Sequence, residues 1–281
     1  MKKELSPAQE IERSIHKKFR KTIWKPFVAG VQRYNLIEES DRIAVCISGG
    51  KDSMLLAKLM QSLHRISKFP FEVKYIVMDP GYNEANLQRV LDNAKLLDLH
   101  VTVFESNIFD VVAQTDRSPC YLCAKMRRGF LYAEAQRQGC NKIALGHHFN
   151  DVIETVMMSM FYGGRFRTMM PKLTSKNFAG MELIRPMYQV PEDEIIAWRQ
   201  YNSLEFIKCA CRFTEDCDLW DDGGEGSKRQ EIKELLRRLK RTNPYVERNI
   251  FNSIHNVNLE TVIGYVYGES ITEANKSDNF R

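Results

Sequence analysis

The segment Ser48-Gly49-Gly50-Lys51-Asp52-Ser53 constrains this chain more than any other, because it joins the apolar run Ile43-Ala44-Val45-Cys46-Ile47 to a helical pattern. Two adjacent glycines let the backbone turn tightly and bring several N–H groups to one point, and a helix starting there adds its positive end. Strand, glycine turn and helix in that order make an anion cradle. The ordinary phosphate loop does not fit, since it needs glycine at position 45 and Ser or Thr at position 52, where Val45 and Asp52 stand.

The alternation continues along the chain. Strand-like runs at 42–47, 73–79, 101–105 and 142–146 alternate with helical patterns at 52–66, 84–97, 124–137 and 151–162. This predicts an α/β fold, a parallel sheet with helices on both faces, whose ligands bind beyond the carboxyl ends of the strands. Ser48, Asp79, Ser106 and Gly146 fall at those ends. Ahead of the sheet, Ile11, Ile15, Phe19, Ile23, Phe27 and Val31 recur four apart among basic residues, which predicts one or two helices kinked or separated at Pro26. After Tyr162 the pattern loosens, with an apolar run at 181–184, a helix at 192–201, a glycine-rich break at 221–226, a basic helical stretch and, from about Glu269, a polar tail expected to fray. The expected division is a basic helical segment at 1–38, an α/β domain at 39–220 and a helical C-terminal segment at 221–281.

No apolar run reaches the length of a membrane helix, and Lys2, Lys3, Glu4 and Pro7 replace the apolar stretch of a signal peptide, so the expectation is a soluble cytoplasmic protein with no membrane partner. Seven unevenly spaced cysteines argue for reduced thiols rather than a disulfide framework. Cys46 and Cys140 read as core. Cys120-Tyr121-Leu122-Cys123 opens a helix, where the thiolate form is favoured; further ligands must come from Cys209, Cys211 or Cys217, and the spacing alone supports zinc and an iron-sulfur cluster equally. The net charge of +5 is modest, but basic residues cluster at His16–Lys25 and Lys233–Arg241, as contact with a phosphate backbone requires.

A second strand-to-helix turn, Gly146-His147-His148-Phe149-Asn150-Asp151, faces the same crest as the glycine loop. Asp151 is placed there to hold magnesium beside phosphates or to orient a substrate, and His147 or His148 to donate to a phosphate oxygen. Arg127 and Arg128, with Arg165, Arg167 and Lys172 after Gly163-Gly164, form an electropositive approach; Met157, Met158 and Met160 read as core packing.

The glycine loop resembles the pyrophosphatase loop of enzymes that split ATP between the α and β phosphates. Together with Pro119-Cys-x-x-Cys, Arg127-Arg128, Gly146-His-His, Asp151, Phe161-Tyr-Gly-Gly164, Pro171-Lys172-Leu173 and Ile184-Arg185-Pro186, in this order over most of the chain, it resembles the tRNA 2-thiocytidine synthetase family. The resemblance implies an adenine nucleotide alpha hydrolase-like fold with helical additions, and a cytoplasmic enzyme that uses ATP and Mg2+. It further implies a 4Fe-4S cluster on Cys120, Cys123 and Cys209, although Cys209-Ala210-Cys211 stands where the family usually has a second Cys-x-x-Cys, which leaves the third ligand between Cys209 and Cys211. Ser48, Gly49, Gly50, Lys51, Asp52, Ser53, Asp79, Gly146 and His147 would bind the nucleotide, and Lys51, Asp52, Asp151 and Arg127 would carry catalysis. The implied partners are tRNA and a sulfur donor such as a cysteine desulfurase or free sulfide; the basic N-terminal helices serve a homodimer contact as readily as RNA. The alternatives are the same chemistry on a uridine, another adenylating tRNA-modifying enzyme, or a non-catalytic RNA-binding protein with a cluster or zinc.

Overall fold

The computed structural model describes residues 5–106, 108, 119–207, 225–267 and 270–273, of which 119–125, 225–227, 267 and 270–273 are described by backbone alone. The strand that precedes the glycine loop, β1 (Arg42–Ile47), is the centre of the sheet, and its residues from Ile43 onward are all buried. It pairs in parallel with β2 (Glu72–Asp79) on one side and β4 (Lys142–Ala144) on the other. Beyond β2 lies β3 (Val101–Glu105), and beyond β4 lie β6 (Glu182–Ile184), parallel, and β5 (Lys172–Thr174), antiparallel, giving the order β3-β2-β1-β4-β6-β5. The strand order reverses between β1 and β4, and in an open α/β sheet that switch point leaves a crevice at the carboxyl ends.

Helices cover both faces. On one, α1 (Pro7–His16), α2 (Lys25–Arg33), α3 (Lys51–Ile66), α4 (Glu84–Leu96) and α7 (Glu192–Tyr201) bury Ile15, Phe27, Leu55, Val90 and Trp198 in one core with Ile43 and Val45. On the other, α5 (Pro119–Arg137) brings Tyr132 and Ala135 against Ala44, Cys46 and Ile143. The alternation of inward residues along β1 between these cores is why the strand reads as a continuous apolar run. Cys46 and Cys140 are both buried, as expected of core thiols, and burial pushes the Cys46 thiol well above its ordinary range. The start of α1 is set by a capping box between Ser6 and Gln9 with Pro7 at the first turn. Pro26 stands in the first turn of α2, and a π-helical turn (Arg20–Trp24) separates α1 from it.

Two differences from the sequence reading concern short strands. Within the run at 181–184, Glu182–Ile184 is β6, and Lys172–Thr174 is β5, each only three residues long, too short for a period to show. In the polar stretch expected to fray from Glu269, Ser270–Glu273 is β8, paired antiparallel with β7 (Gly264–Tyr267), and the fraying expected of 274–281 lies outside the described residues. The pairing is made by backbone groups, which composition does not report.

The chain divides into two compact units, Met1–Val152 with Met169–Lys228, and Ile153–Thr168 with Arg229–Arg281. The first holds the six-stranded sheet. The second takes most of α6 (Phe149–Gly163) and α8 (Glu225–Thr242), together with α9 (Val246–Ser253). In it Val156, Ile232, Leu236 and Phe251 are buried, and the carboxylate of Glu154, 3% exposed, lies 3.7 Å from both Arg229 and Lys233.

Candidate active site

The six-residue loop closes on itself. The Ser48 N–H donates to Ser53 Oγ at 3.1 Å, the Ser48 hydroxyl lies 3.2 Å from the same oxygen, and the Ser53 hydroxyl donates to the Gly50 carbonyl at 3.0 Å. Gly49 has φ +82°, and a Cβ there would stand 2.5 Å from Val90 Cγ2, so both conformation and space demand glycine. Gly50 is the N-cap of α3 and no side-chain cap forms there among the described residues, which leaves the first-turn N–H groups available to an anion. From the neighbouring strand end, Gly146 approaches so closely that a Cβ would lie 3.0 Å from Ser53 N and 3.1 Å from the Asp52 carbonyl carbon.

Charged groups surround this cradle. Lys51 Nζ sits 3.1 Å from Asp52 Oδ2 and 3.0 Å from Glu192 Oε1. Burial alone would lower the Lys51 pKa, but the two carboxylates more than offset it and hold the ammonium above its ordinary range. The His148 ring, 5% exposed, lies among three carboxylates, 3.5 Å from Asp151, 3.8 Å from Asp52 and 3.9 Å from Glu192. Asp151 also accepts the His148 N–H at 2.9 Å, which ties the start of α6. A cavity of about 280 Å³ opens beside the loop, lined by Ser48, Asp52, Tyr82, Arg127, His147 and Asp151 among others.

The structure thus brings together Ser48 to Ser53, Gly146, His147, Asp151 and Arg127. At the carboxyl end of β2, Asp79 Oδ1 accepts the Gly81 and Tyr82 N–H groups at 2.8 and 2.7 Å and braces the turn there. Cys120 and Cys123 stand one turn apart at the start of α5, their side chains outside the described residues, as are Cys209, Cys211 and Cys217 altogether. Met157 is buried as expected of core, whereas Met160 is 45% exposed, on the solvent side of α6. Glu192 was not anticipated. It opens α7, 141 residues after its partner Lys51, and its signature is an acidic first turn, common to most helices.

A parallel sheet reversing at β1/β4, with an uncapped helix start and a lysine at the switch point, defines an α/β protein built to hold a nucleotide phosphate. Residues 10–211 match the PP-loop domain family. The chain is 35% identical to the tRNA-cytidine(32) 2-sulfurtransferase of Geobacter metallireducens over 81% of its own length and 86% of that protein, and 34% identical to that of Geotalea uraniireducens over 80% and 86%. It belongs to the PP-loop family, in the branch of these tRNA 2-sulfurtransferases. Its fold is also that of the U34-tRNA thiolase NcsA from Methanococcus maripaludis, a structure with its 4Fe-4S cluster, at TM-score 0.62 and 20% identity over 90% of this chain and 84% of that one.

Proposed function

We propose that this protein is a cytoplasmic, ATP-dependent tRNA sulfurtransferase that replaces the C2 oxygen of a cytidine in the anticodon loop with sulfur. The observation that carries the reading is the cradle: an uncapped α3 start, Gly49 and Gly146 where side chains would collide, and Lys51 beside them. The C2 oxygen is a poor leaving group. Attack of that oxygen on the α-phosphorus of ATP expels pyrophosphate and leaves an adenylyl ester, from which a sulfur nucleophile then displaces AMP at C2. The first-turn N–H groups of α3 and the Lys51 ammonium hold the phosphates and offset the charge that builds as pyrophosphate leaves. Arg127 lines the same cavity, where its guanidinium would offset phosphate charge.

Asp52 Oδ1 is buried and accepts no hydrogen bond among the described residues, which suits it to the one-or-two-carboxylate sites that hold magnesium through nucleotide phosphates. Among the described residues no three ligating side chains converge on a metal site of their own, as such shared sites do not need. Cys120, Cys123 and Cys209 or Cys211 would hold the iron-sulfur cluster; a pair of cysteines in the first turn of α5 is where thiolates are favoured. When bound, the cluster would supply an open iron able to hold a sulfide and present it to the activated base. The sulfur donor to the enzyme is a desulfurase or free sulfide, and tRNA is the substrate partner.

The test is anaerobic incubation of the iron-reconstituted protein with unmodified tRNA, ATP, Mg2+ and sulfide, followed by nucleoside mass spectrometry. The expected product is 2-thiocytidine, with AMP and pyrophosphate formed only when tRNA is present. Asp52→Ala and Cys123→Ser are each expected to abolish it, the cysteine change alone removing iron. A 2-thiouridine product would move the target base; tRNA-dependent thiolation without AMP would overturn the mechanism.

A further inference from the structure

The last turn of α6 runs into a loop whose chemistry the nucleotide site does not use. Gly164, at φ +56°, turns the chain back, and the loop is pinned to its own helix: the Arg165 N–H donates to the Ser159 carbonyl at 3.0 Å and the Ser159 hydroxyl donates to the Arg165 carbonyl at 2.7 Å. This held loop presents apolar surface to water. Phe161 is 54% exposed and Phe166 is 50% exposed. Arg165 and Arg167, on either side of Phe166, are exposed, and neither forms an ion pair among the described residues. Nothing lies within 4 Å of where a Cβ would stand on Gly163 or Gly164, so the backbone between the two phenylalanines borders open space.

The rest of the same unit carries matching charge. Arg237, Arg238 and Arg241 on α8 and Arg248 on α9 are exposed and likewise make no ion pair among the described residues. Exposed arginines without carboxylate partners leave a positive field that a polyanion would neutralise. Exposed aromatic faces interleaved with guanidinium groups are what single-stranded nucleic acid requires: rings for unstacked bases, cations for the phosphates between them.

We propose that Phe161 and Phe166, with Arg165 and Arg167, form a stacking platform for unpaired bases of the tRNA loop, with the arginines of α8 and α9 holding the adjoining backbone. This deepens the tRNA reading above and rests on it. A second copy of the chain fits less well, because a two-fold contact at this loop would set Arg165 and Arg167 against their own counterparts.

The experiment is fluorescence titration of the full-length protein with a labelled anticodon stem-loop RNA over a range of KCl, alongside ATP binding and sedimentation of the protein alone. Phe166→Ala is expected to weaken RNA binding roughly 5- to 100-fold with the salt slope unchanged, and Phe166→Tyr to restore most of it. The double change Arg165→Ala with Arg167→Ala is expected to lower the salt slope by roughly 2 while ATP binding stays as in the parent protein. Parent-like RNA affinity in both variants, with the parent protein itself binding RNA and thiolating tRNA, overturns the platform and leaves the function standing. Loss of self-association with RNA affinity intact assigns the surface to a second copy and also overturns it. A parent protein that neither binds the RNA nor forms AMP with tRNA overturns both.

Discussion

Lys51 and Glu192 set the resting state of the loop. With the ammonium 3.0 Å from Glu192 and 3.1 Å from Asp52, its charge is already matched, so ATP must draw it from one carboxylate to be held by it. Because both carboxylates raise the Lys51 pKa, removing one lowers it. Glu192→Gln is therefore expected to make Lys51 react faster with an amine-acylating reagent at pH 9, read by peptide mass spectrometry, with ATP protecting it in both proteins. The same change should raise the KM for ATP more than it lowers kcat if Glu192 serves to position the lysine. An unchanged labelling rate would mean that Glu192 does not govern the lysine. The loop lysine was legible in the sequence from its motif; its partner was not, because an acidic helix start 141 residues away carries no mark of what it faces.

Two contacts between elements hold the crevice in shape. Gly146 at the end of β4 touches the backbone of Asp52 and Ser53, so Gly146→Ala must push the strand end and α3 apart by a few tenths of an ångström. The expected result is loss of ATP binding by calorimetry with an unfolding midpoint close to that of the parent. Gly49→Ala combines a positive φ with a 2.5 Å approach to Val90 and is expected to cost about 1–3 kcal/mol of stability, measured by denaturant unfolding. Further along, Lys142 Nζ on β4 lies 2.7 Å from Asp41 Oδ2, with both side chains nearly sealed from water. Lys142→Met leaves that carboxylate buried without its cation and is expected to cost about 3–5 kcal/mol, with a large part regained in Asp41→Asn/Lys142→Met. The long strands and helices were legible because their periods run over enough residues to register. The short strands β5 and β6 were not: three residues carry no period, and β6 is placed by the open edge of β4 and β5 by that of β6.

Across the whole molecule the two units differ in what holds them. The sheet-bearing unit buries β1 between two apolar cores, whereas among the described residues the second unit buries fewer side chains and carries Glu154 with its basic partners. Hydrogen exchange should therefore be slower in Ile43–Ile47 than in α8 and α9, and Glu154→Gln should speed exchange in α8 while leaving β1 unchanged. Equal acceleration in β1 would show that the chain opens as one body. From its sequence alone, this protein was determined to be an α/β protein with a phosphate cradle after β1 and a second polar turn after β4, because glycine, strand and helix signals are local and each is written in consecutive residues. Only the tertiary structure decided that Glu192 closes on Lys51, that His148 sits among three carboxylates, that Asp79 braces a turn, and that Phe161 and Phe166 stand in water. Those outcomes depend on which distant segments meet, and such meetings are set by the packing of the sheet and its helices rather than by any residue's neighbours in the chain.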